Sequence, residues 1–171
     1  MTKQELFSQI DQTVLTAHQD VSLFFTEDTI KTLHKICCQK NADANAGNYR
    51  SEPAPSCGPG HVPPKPSQIP HFMEHFINQM VISRSMFHPI EFAAIAYKRL
   101  LDIYPFASCN EETASLFMNL LLAKEGYPLV FMPSACDEYK AAMAAARKMP
   151  YPDTDPLVLL VAKYIKKLEI V

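Results

Sequence analysis

The densest apolar stretch of the chain lies between residues 100 and 128, with the sequence LLDIYPFASCNEETASLFMNLLLAKEGYP. Within Ala114–Ala123, apolar side chains cover most of the circumference of a helix, and such a helix belongs in the centre of a domain. Gly126 and Pro128 are typical of a helix end. A short turn, Tyr104–Cys109, precedes this helix. The N-terminus of a buried helix is a place where backbone N–H groups can hold an anion.

Helical spacing of apolar residues predicts further helices around this centre. They are Lys3–Ala17, a helix capped near Thr26 that buries Ile30, Leu33 and Ile36, helices that begin at Pro70, Pro89 and Pro156, and an alanine-rich helix Cys136–Met149. Between Asn41 and Pro70, seven of the fourteen prolines exclude helix through most of the segment. Polyproline-like or extended backbone, or a short hairpin, remains. We therefore predict an all-α domain with one proline-rich interruption, which is either a rigid surface loop or a functional loop.

Composition indicates a single intracellular domain. The chain has 171 residues, of which 48% are apolar and 20% charged, and its formal net charge is −2, which offers no basic field for nucleic acid. Five cysteines without paired CxxC spacing favour reduced thiols in the cytoplasm. The polar first residues do not resemble a signal peptide, and the longest apolar runs are too short to span a membrane.

Two histidine patterns raise the question of a metal site. His34 and Cys37 lie one helical turn apart, and His71-Phe-Met-Glu74-His75 matches the HxxEH pattern of some zinc proteases. In the second pattern the two histidines share one face, and Glu74 is placed to act as a base. Neither pattern has an evident further ligand, and surface helices often carry this spacing. The sequence therefore predicts no metal, with a zinc hydrolase as a minor alternative.

The segment from His88 to Pro128, HPIEFAAIAYKRLLDIYPFASCNEETASLFMNLLLAKEGYP, resembles the core of Fic (filamentation induced by cAMP) domains. Their signature is HPFx(D/E)GNGRxxR, preceded by an HPxxxAAxxHxxLxxI helix and followed by a leucine-rich helix that ends in Gly-Tyr-Pro. Upstream, Ala46–Arg50 resembles the AGxxR element of the family, and His61–Pro66 lies where the family has its flap hairpin. The resemblance covers about residues 28–168, order and spacing included.

This resemblance implies a single Fic-like domain over residues 1–171, in which a Fic core (28–168) follows an N-terminal helical extension (1–27). The implied fold is an all-α Fic-like bundle around the buried central helix, with a short proline-rich flap or β-hairpin. Fic enzymes typically transfer AMP from ATP to a hydroxyl group of a target protein. By analogy, the motif histidine is the general base, the acidic residue holds Mg²⁺, and Gly-Asn-Gly with two arginines forms the anion hole.

The positions that carry this chemistry are exchanged here. They are Tyr104 for the histidine, Ser108 for the acid, Cys109, Asn110 and Glu111 for Gly-Asn-Gly, and Glu112 and Ser115 for the two arginines. A phenol is almost wholly protonated at neutral pH and is therefore a poor general base. A serine hydroxyl is neutral where Mg²⁺ favours a carboxylate. The site loses two cations and gains two carboxylates, so we predict no activity and no ATP or Mg²⁺ as cofactors.

Local helix chemistry offers another interpretation of the same residues. Ser108 and Glu111 have the spacing of a capping box, in which each side chain bonds the backbone N–H of the other. Glu111 and Glu112 also suit the positive end of the helix dipole. On this hypothesis, the carboxylates of the protein occupy the site that binds phosphates in active relatives. The Fic inhibitory motif (S/T)xxxE(G/N) has no match, since its nearest candidate, Ser134–Glu138, is followed by tyrosine.

Two functions remain open. The first is an inactive Fic relative that serves as a protein-binding or regulatory module and presents a protein partner with the flap around His61, Val62 and Pro63. The alternative is an active transferase or hydrolase with altered chemistry, which would use Tyr104, Ser108, Cys109 and Glu112 and would require ATP and Mg²⁺ if it follows the family. No nucleic acid or membrane partner is predicted. Nucleotide binding and oligomeric state stay open.

Overall fold

The computed structural model describes residues 25–39, 45–55 and 61–169, with side chains up to residue 166. Within these ranges it contains six α-helices and two short 3₁₀ helices and no strand. They are α1 Glu27–Cys38, a 3₁₀ turn Pro66–Gln68, α2 Ile69–Ser83, a 3₁₀ turn Arg84–Met86, α3 Pro89–Ile103, α4 Asn110–Lys124, α5 Asp137–Ala146 and α6 Asp155–Glu169. The all-α prediction is confirmed. The predicted helix Lys3–Ala17 lies outside the described residues.

The central helix is α4, as the apolar pattern predicts. It packs against α3 on one side and α1 on another, while α6 packs on α5 and α3, and α2 packs on α3. Every residue from Leu116 to Leu122 is buried. Each large apolar side chain buried in this way contributes roughly 1.5–3 kcal/mol to folding. The packed pair α3 and α4 therefore positions the turn that connects them.

Helix starts follow the predicted chemistry at two sites. The Thr26 hydroxyl accepts the N–H of Thr29 at 3.1 Å at the start of α1. Pro89 occupies the first position of α3, where its missing N–H leaves no hydrogen bond unmade. The proline-rich segment is helix-free over its described residues 45–55 and 61–65. These described residues contain no strand that would form the alternative, a short hairpin. Cys57 lies outside the described residues.

One polar side chain in the centre of α4 departs from the apolar pattern. Asn119 is fully buried, and its amide bonds both backbone groups of Val130, accepting the N–H at 2.5 Å and donating to the carbonyl at 2.8 Å. It also donates to the carbonyl of Ser115 at 2.9 Å. Asn119 therefore satisfies the backbone groups of Val130 and holds the segment that follows Gly126 against α4. Gly126 itself turns the chain with φ 81°.

We expect Asn119→Leu, a change of similar volume, to lower the free energy of unfolding by about 2–4 kcal/mol. The reason is that the buried N–H and carbonyl of Val130 would lose their partner. Urea unfolding at constant m-value measures the change. The same substitution at the exposed Asn48 is the control and should change stability by less than about 0.5 kcal/mol. An equal effect at both positions would contradict the role of Asn119.

Candidate functional site in the turn between α3 and α4

The turn covers residues 104–109, and both of its ends lie in the left-handed region of backbone conformation. Tyr104 ends α3 with φ 50°, and Cys109 precedes α4 with φ 52°. Residues with a side chain adopt this conformation at a cost of about 1–2 kcal/mol. Cys109 stands at the position of the first glycine of the Fic signature. The turn thus has a glycine-type backbone without the glycine.

The side chain of Asn110 closes the turn. Its amide oxygen accepts the N–H of Phe106 at 2.9 Å, and its amide nitrogen donates to the Phe106 carbonyl at 2.8 Å. Asn110 is buried, and Phe106 is fully buried. Removal of this pair would leave two buried backbone groups without partners. Asn110 matches the asparagine of Gly-Asn-Gly, and here it has a structural role that the sequence did not indicate.

The predicted capping box is wrong. It required Ser108 as the N-cap of α4, bonded to the N–H of Glu111. The helix begins at Asn110 instead, with Cys109 as N-cap, and the Cys109 side chain makes no cap hydrogen bond. The Cys109 carbonyl accepts both the N–H and the hydroxyl of Thr113, at 3.0 and 2.6 Å. The N-cap of α4 is therefore one residue later than predicted.

Ser108, at the position of the family's metal-binding acid, is attached to α1. Its carbonyl lies 3.1 Å from Nε2 of His34, and its hydroxyl lies 3.9 Å from the Cys38 sulfur. The other ring nitrogen of His34 accepts the N–H of Gly47 at 2.8 Å, so Nε2 carries the proton and donates it to Ser108. The imidazole also stacks on Phe106 at 3.9 Å. His34 is therefore a buried structural histidine.

The first turn of α4 is acidic. Glu111 and Glu112 are exposed there, and Ser115 is half-buried one turn further on. Between residues 104 and 115 the sequence contains no lysine, arginine or histidine. Carboxylates at this helix end are favoured by the dipole, by roughly 0.3–1 kcal/mol each. The same charges oppose a phosphate group in that position.

Arg50 holds the turn from the opposite side. Its Nε donates to the carbonyl of Tyr104 at 2.8 Å, and its terminal nitrogens donate to the carbonyls of Glu52 at 2.9 Å and Pro64 at 2.6 Å. Its backbone N–H bonds the carbonyl of Pro105 at 2.9 Å. Only 6% of Arg50 is exposed. The AGxxR element was the sequence signal for this residue, but the sequence did not reveal its partners.

A cavity of about 320 Å³ opens beside the turn, between Tyr104 and the loop of residues 45–55. The half-buried Tyr104 forms part of its wall together with Phe106, Tyr49 and Pro53. Among the predicted site residues, Tyr104 lines this depression, whereas Ser108, Cys109, Asn110, Glu111, Glu112 and Ser115 do not. Its lining is mainly neutral, with Arg50 already bonded to three carbonyls.

The predicted flap residues lie next to this site. The ring of His61 donates from Nε2 to the carbonyl of Asp102 at 2.7 Å. Val62 is 80% exposed, whereas Pro63 is buried. Because the Pro64 carbonyl accepts from Arg50, the flap and the turn share one anchor. The segment is thus fixed at both sides of an exposed valine.

Asp102 is a site residue that the sequence did not indicate. Its carboxylate accepts from Arg147 at 2.7 Å and Lys98 at 2.8 Å, and it lies 3.9 Å from the ring of His61. Arg147 is only 8% exposed at its side chain. This ion-pair group joins the end of α3 to the residue after α5 and to the flap. Nothing local in the sequence shows that two cations converge there.

Neither histidine pattern gathers a metal site. His71 and His75 are exposed on α2. Across residues 25–39, 45–55 and 61–169, no group of three or more histidine, cysteine, aspartate and glutamate side chains is placed to hold a metal ion. The described cysteines, Cys37, Cys38, Cys109 and Cys136, are not joined in disulfide bonds. In the same ranges, no helix has both the length and the apolar content needed to cross a bilayer.

Burial raises the pKa of the Cys37 thiol from 9.0 to about 12. A hydrogen bond with Thr113 opposes the shift, while the nearby Cys109 and Glu112 add to it. The thiol next to the acidic turn is therefore protonated over the whole neutral range. It cannot serve as a nucleophile there, because the thiolate is the reactive form.

The fold and the turn define a helical domain with a Fic-type site, and comparison with known proteins identifies the family. The model of the Fic/DOC family matches residues 24–122, more than half of the chain. The chain belongs to the Fic/DOC family.

Its relatives are named protein adenylyltransferases. The protein adenylyltransferase Fic of Nematostella vectensis is 31% identical over 130 residues, which are 75% of this chain and 29% of that protein. The protein of the same name in Aedes aegypti is 40% identical over 74 residues, 43% of this chain and 15% of that one. The chain thus spans less than a third of these relatives.

Solved structures agree on the fold. Fic-1 (aa134–508) from C. elegans superposes with a TM-score of 0.76 at 24% identity, over 97% of this chain and 47% of that chain. At this identity the likeness concerns the architecture. It confirms the prediction of a Fic-like helical bundle around a buried central helix.

We expect Cys109→Gly to be more stable than Cys109→Ala by about 1 kcal/mol. Both variants remove the thiol, but only glycine removes the cost of the left-handed conformation at φ 52°. Urea unfolding of the two variants measures the difference. An alanine variant as stable as the glycine variant would contradict the left-handed backbone at this position.

We expect Cys37 to resist alkylation at pH 9. With a pKa of about 12, roughly one thiol in a thousand is ionised at that pH, against about half in the unfolded chain. Iodoacetamide labelling, followed by peptide mass spectrometry, should be roughly five hundredfold slower in native protein than in urea. Because the folded pKa is raised, the contribution of this thiol to stability is present below pH 9 and is lost as pH rises towards 12. Comparable rates in both states would refute the burial of the thiol.

Proposed function

We propose that this Fic-family chain does not transfer AMP from ATP by the family mechanism and serves instead as a protein-binding or regulatory module. The observation that carries the proposal is the negative charge at the start of α4, directly after the turn. Glu111 and Glu112 stand exposed at the helix end where the signature has glycine and arginine. The turn keeps its shape through Asn110 and Arg50, yet it presents carboxylates to any phosphate.

Electrostatics decides against a polyphosphate. At 4 Å and an effective dielectric constant of 20, two like unit charges repel by roughly 4 kcal/mol, and exposed groups repel less. Arg50 cannot compensate, because its guanidinium already donates to three carbonyls and is 6% exposed. ATP with Mg²⁺ therefore does not fit the residues present.

The remaining chemical groups also lack the required properties. Ser108 offers a neutral hydroxyl beside the Cys38 sulfur at 3.9 Å, where Mg²⁺ would need a carboxylate. Tyr104 offers a phenol where the reaction needs a base that is ready at neutral pH. The neighbouring Cys37 adds no nucleophile to the alternative of altered chemistry, since burial keeps its thiol protonated at neutral pH.

The flap supports the protein-binding part of the proposal. Val62 is 80% exposed on a segment that Asp102 and Arg50 anchor. Beside it, a groove of about 360 Å³ is lined by His61, Phe72 and other residues of α2 and α3. An anchored extended segment with an exposed apolar side chain suits a peptide that adds alongside it. The odd number of cysteines without paired spacing supports a cytoplasmic location.

The test compares the wild type with a restored variant. The variant combines Tyr104→His, Ser108→Asp, Cys109→Gly, Glu111→Gly, Glu112→Arg and Ser115→Arg. Calorimetric titration with ATP and Mg²⁺ should give no measurable heat with the wild type. The restored variant should bind at least tenfold tighter than the detection limit, which corresponds to a gain of about 1.4 kcal/mol or more. Labelled ATP then reports AMP transfer.

The start of α5 offers a matched control, because it too follows a cysteine and begins with two acidic residues, Asp137 and Glu138. Asp137→Gly with Glu138→Arg makes a similar charge change away from the turn and should leave ATP binding undetectable. Wild-type labelling that is lost in Tyr104→Phe or Ser108→Ala would overturn the proposal and favour altered chemistry on the Fic scaffold.

A further inference from the structure

A second depression lies at the other end of the α3–α4 pair. It has a volume of about 410 Å³ and is formed by the end of α2, the start of α3 and the end of α4. Its apolar lining consists of Val81, Phe87, Pro89, Phe92 and Leu121. The fifteen residues of α4 separate it from the acidic turn by roughly 22 Å. We refer to it as the distal groove.

Large apolar side chains in and next to the distal groove are exposed to an unusual degree: Val81 and Phe87 line the groove, and Ile82 and Met86 are their sequence neighbours. Val81 is 46% exposed, Ile82 73%, Met86 73% and Phe87 37%. These residues follow one another closely, at the end of α2 and in the 3₁₀ turn after it. A cluster of this kind, as opposed to scattered single residues, marks a surface that another segment covers.

The chain enters the described fold directly at this groove. Phe25 is 3% exposed, and its ring packs edge-to-face on Phe92 at 5.6 Å and on Phe117 at 6.1 Å. Phe92 is itself part of the groove wall. Residues 1–24 are joined to the described fold at Phe25, which lies against this wall residue, so the groove is within their covalent reach.

The sequence of residues 1–24 matches such a surface. Leu6, Ile10 and Val14 recur at four-residue intervals and form one apolar face of a helix. A helix over Lys3–Ala17 would be roughly 22 Å long, and residues 18–24 can span up to about 25 Å. Length therefore does not prevent the apolar face from reaching the groove.

Charge complements the apolar match. Residues 1–24 carry three carboxylates, on Glu5, Asp11 and Asp20, against a single lysine. The rim of the distal groove carries Arg84, Lys124 and Glu125; Arg84 pairs with Glu125 at 2.8 Å, so two cations and one carboxylate leave the rim with a net charge of +1. An acidic segment and a predominantly basic rim attract one another and favour this partner over an unrelated basic one.

We propose that residues 1–24 of this chain pack on its own distal groove, with Leu6, Ile10 and Val14 against Val81, Met86 and the other exposed apolar residues. Three observations support this: the exposed apolar cluster offers a surface to cover, Phe25 lies against the groove wall, and the net charge of the rim is opposite to that of residues 1–24. The proposal is independent of whether the turn binds nucleotide, because the two regions lie at opposite ends of α4.

Photo-crosslinking tests this contact in the full chain. Benzoylphenylalanine replaces Met86, whose side chain is 73% exposed, so that folding is little affected. We expect a monomer-sized product in which position 86 is linked to residues 1–24, with a yield independent of protein concentration. The same probe in place of Leu159 on α6, 69% exposed, controls for random encounter.

Two matched variants identify the packed face. Ile10→Asp with Val14→Asp should reduce the crosslink roughly tenfold, because charge would enter the apolar contact. Gln12→Asp with Thr16→Asp adds the same charge on the opposite face of the predicted helix and should leave most of the yield. A dimer-sized product, links only to other regions, no link, or equal loss in both variants would overturn the proposal.

Discussion

The buried guanidinium of Arg50 is the contact on which the site depends. Through three carbonyls it joins the turn at Tyr104 to the flap at Pro64 and to its own loop at Glu52. A buried cation needs partners on all sides, and here backbone oxygens supply them. The guanidinium of Arg50 therefore serves to hold the backbone of the turn, the flap and its own loop together. An arginine so close to the turn contributes almost nothing to binding an external anion.

Within the turn, the residues that maintain shape differ from those that perform chemistry in active relatives. The shape depends on the clamp between Asn110 and Phe106 and on the stacking of Phe106 against His34 at 3.9 Å. These contacts are internal and need no ligand. Substitutions at Ser108 and Glu112 therefore change the charge of the site without opening the turn. Because the contacts that shape the turn do not involve Glu111 or Glu112, these carboxylates are compatible with the observed backbone.

The sequence predicted the fold well because its apolar periods are strong and its prolines stand at helix starts, as Pro89 does in α3. It also predicted the turn between the third and fourth helices. It failed at the capping box, because general cap preferences do not reveal that Cys109 takes the left-handed conformation and the N-cap position. It also gave no signal for Asp102, because the cations that bond it lie four residues before it and after α5. Such convergence is tertiary.

The two ends of α4 carry side chains of opposite charge. Its N-terminus carries exposed Glu111 and Glu112, which the helix dipole favours. Its C-terminus carries Lys124 in the last turn, which the dipole favours as well. The side-chain charges of this helix therefore run opposite to its dipole, negative beside the turn and positive at Lys124, and they offset part of it. An acidic group is therefore repelled by the exposed carboxylates at the first end and attracted by the Lys124 side chain at the second.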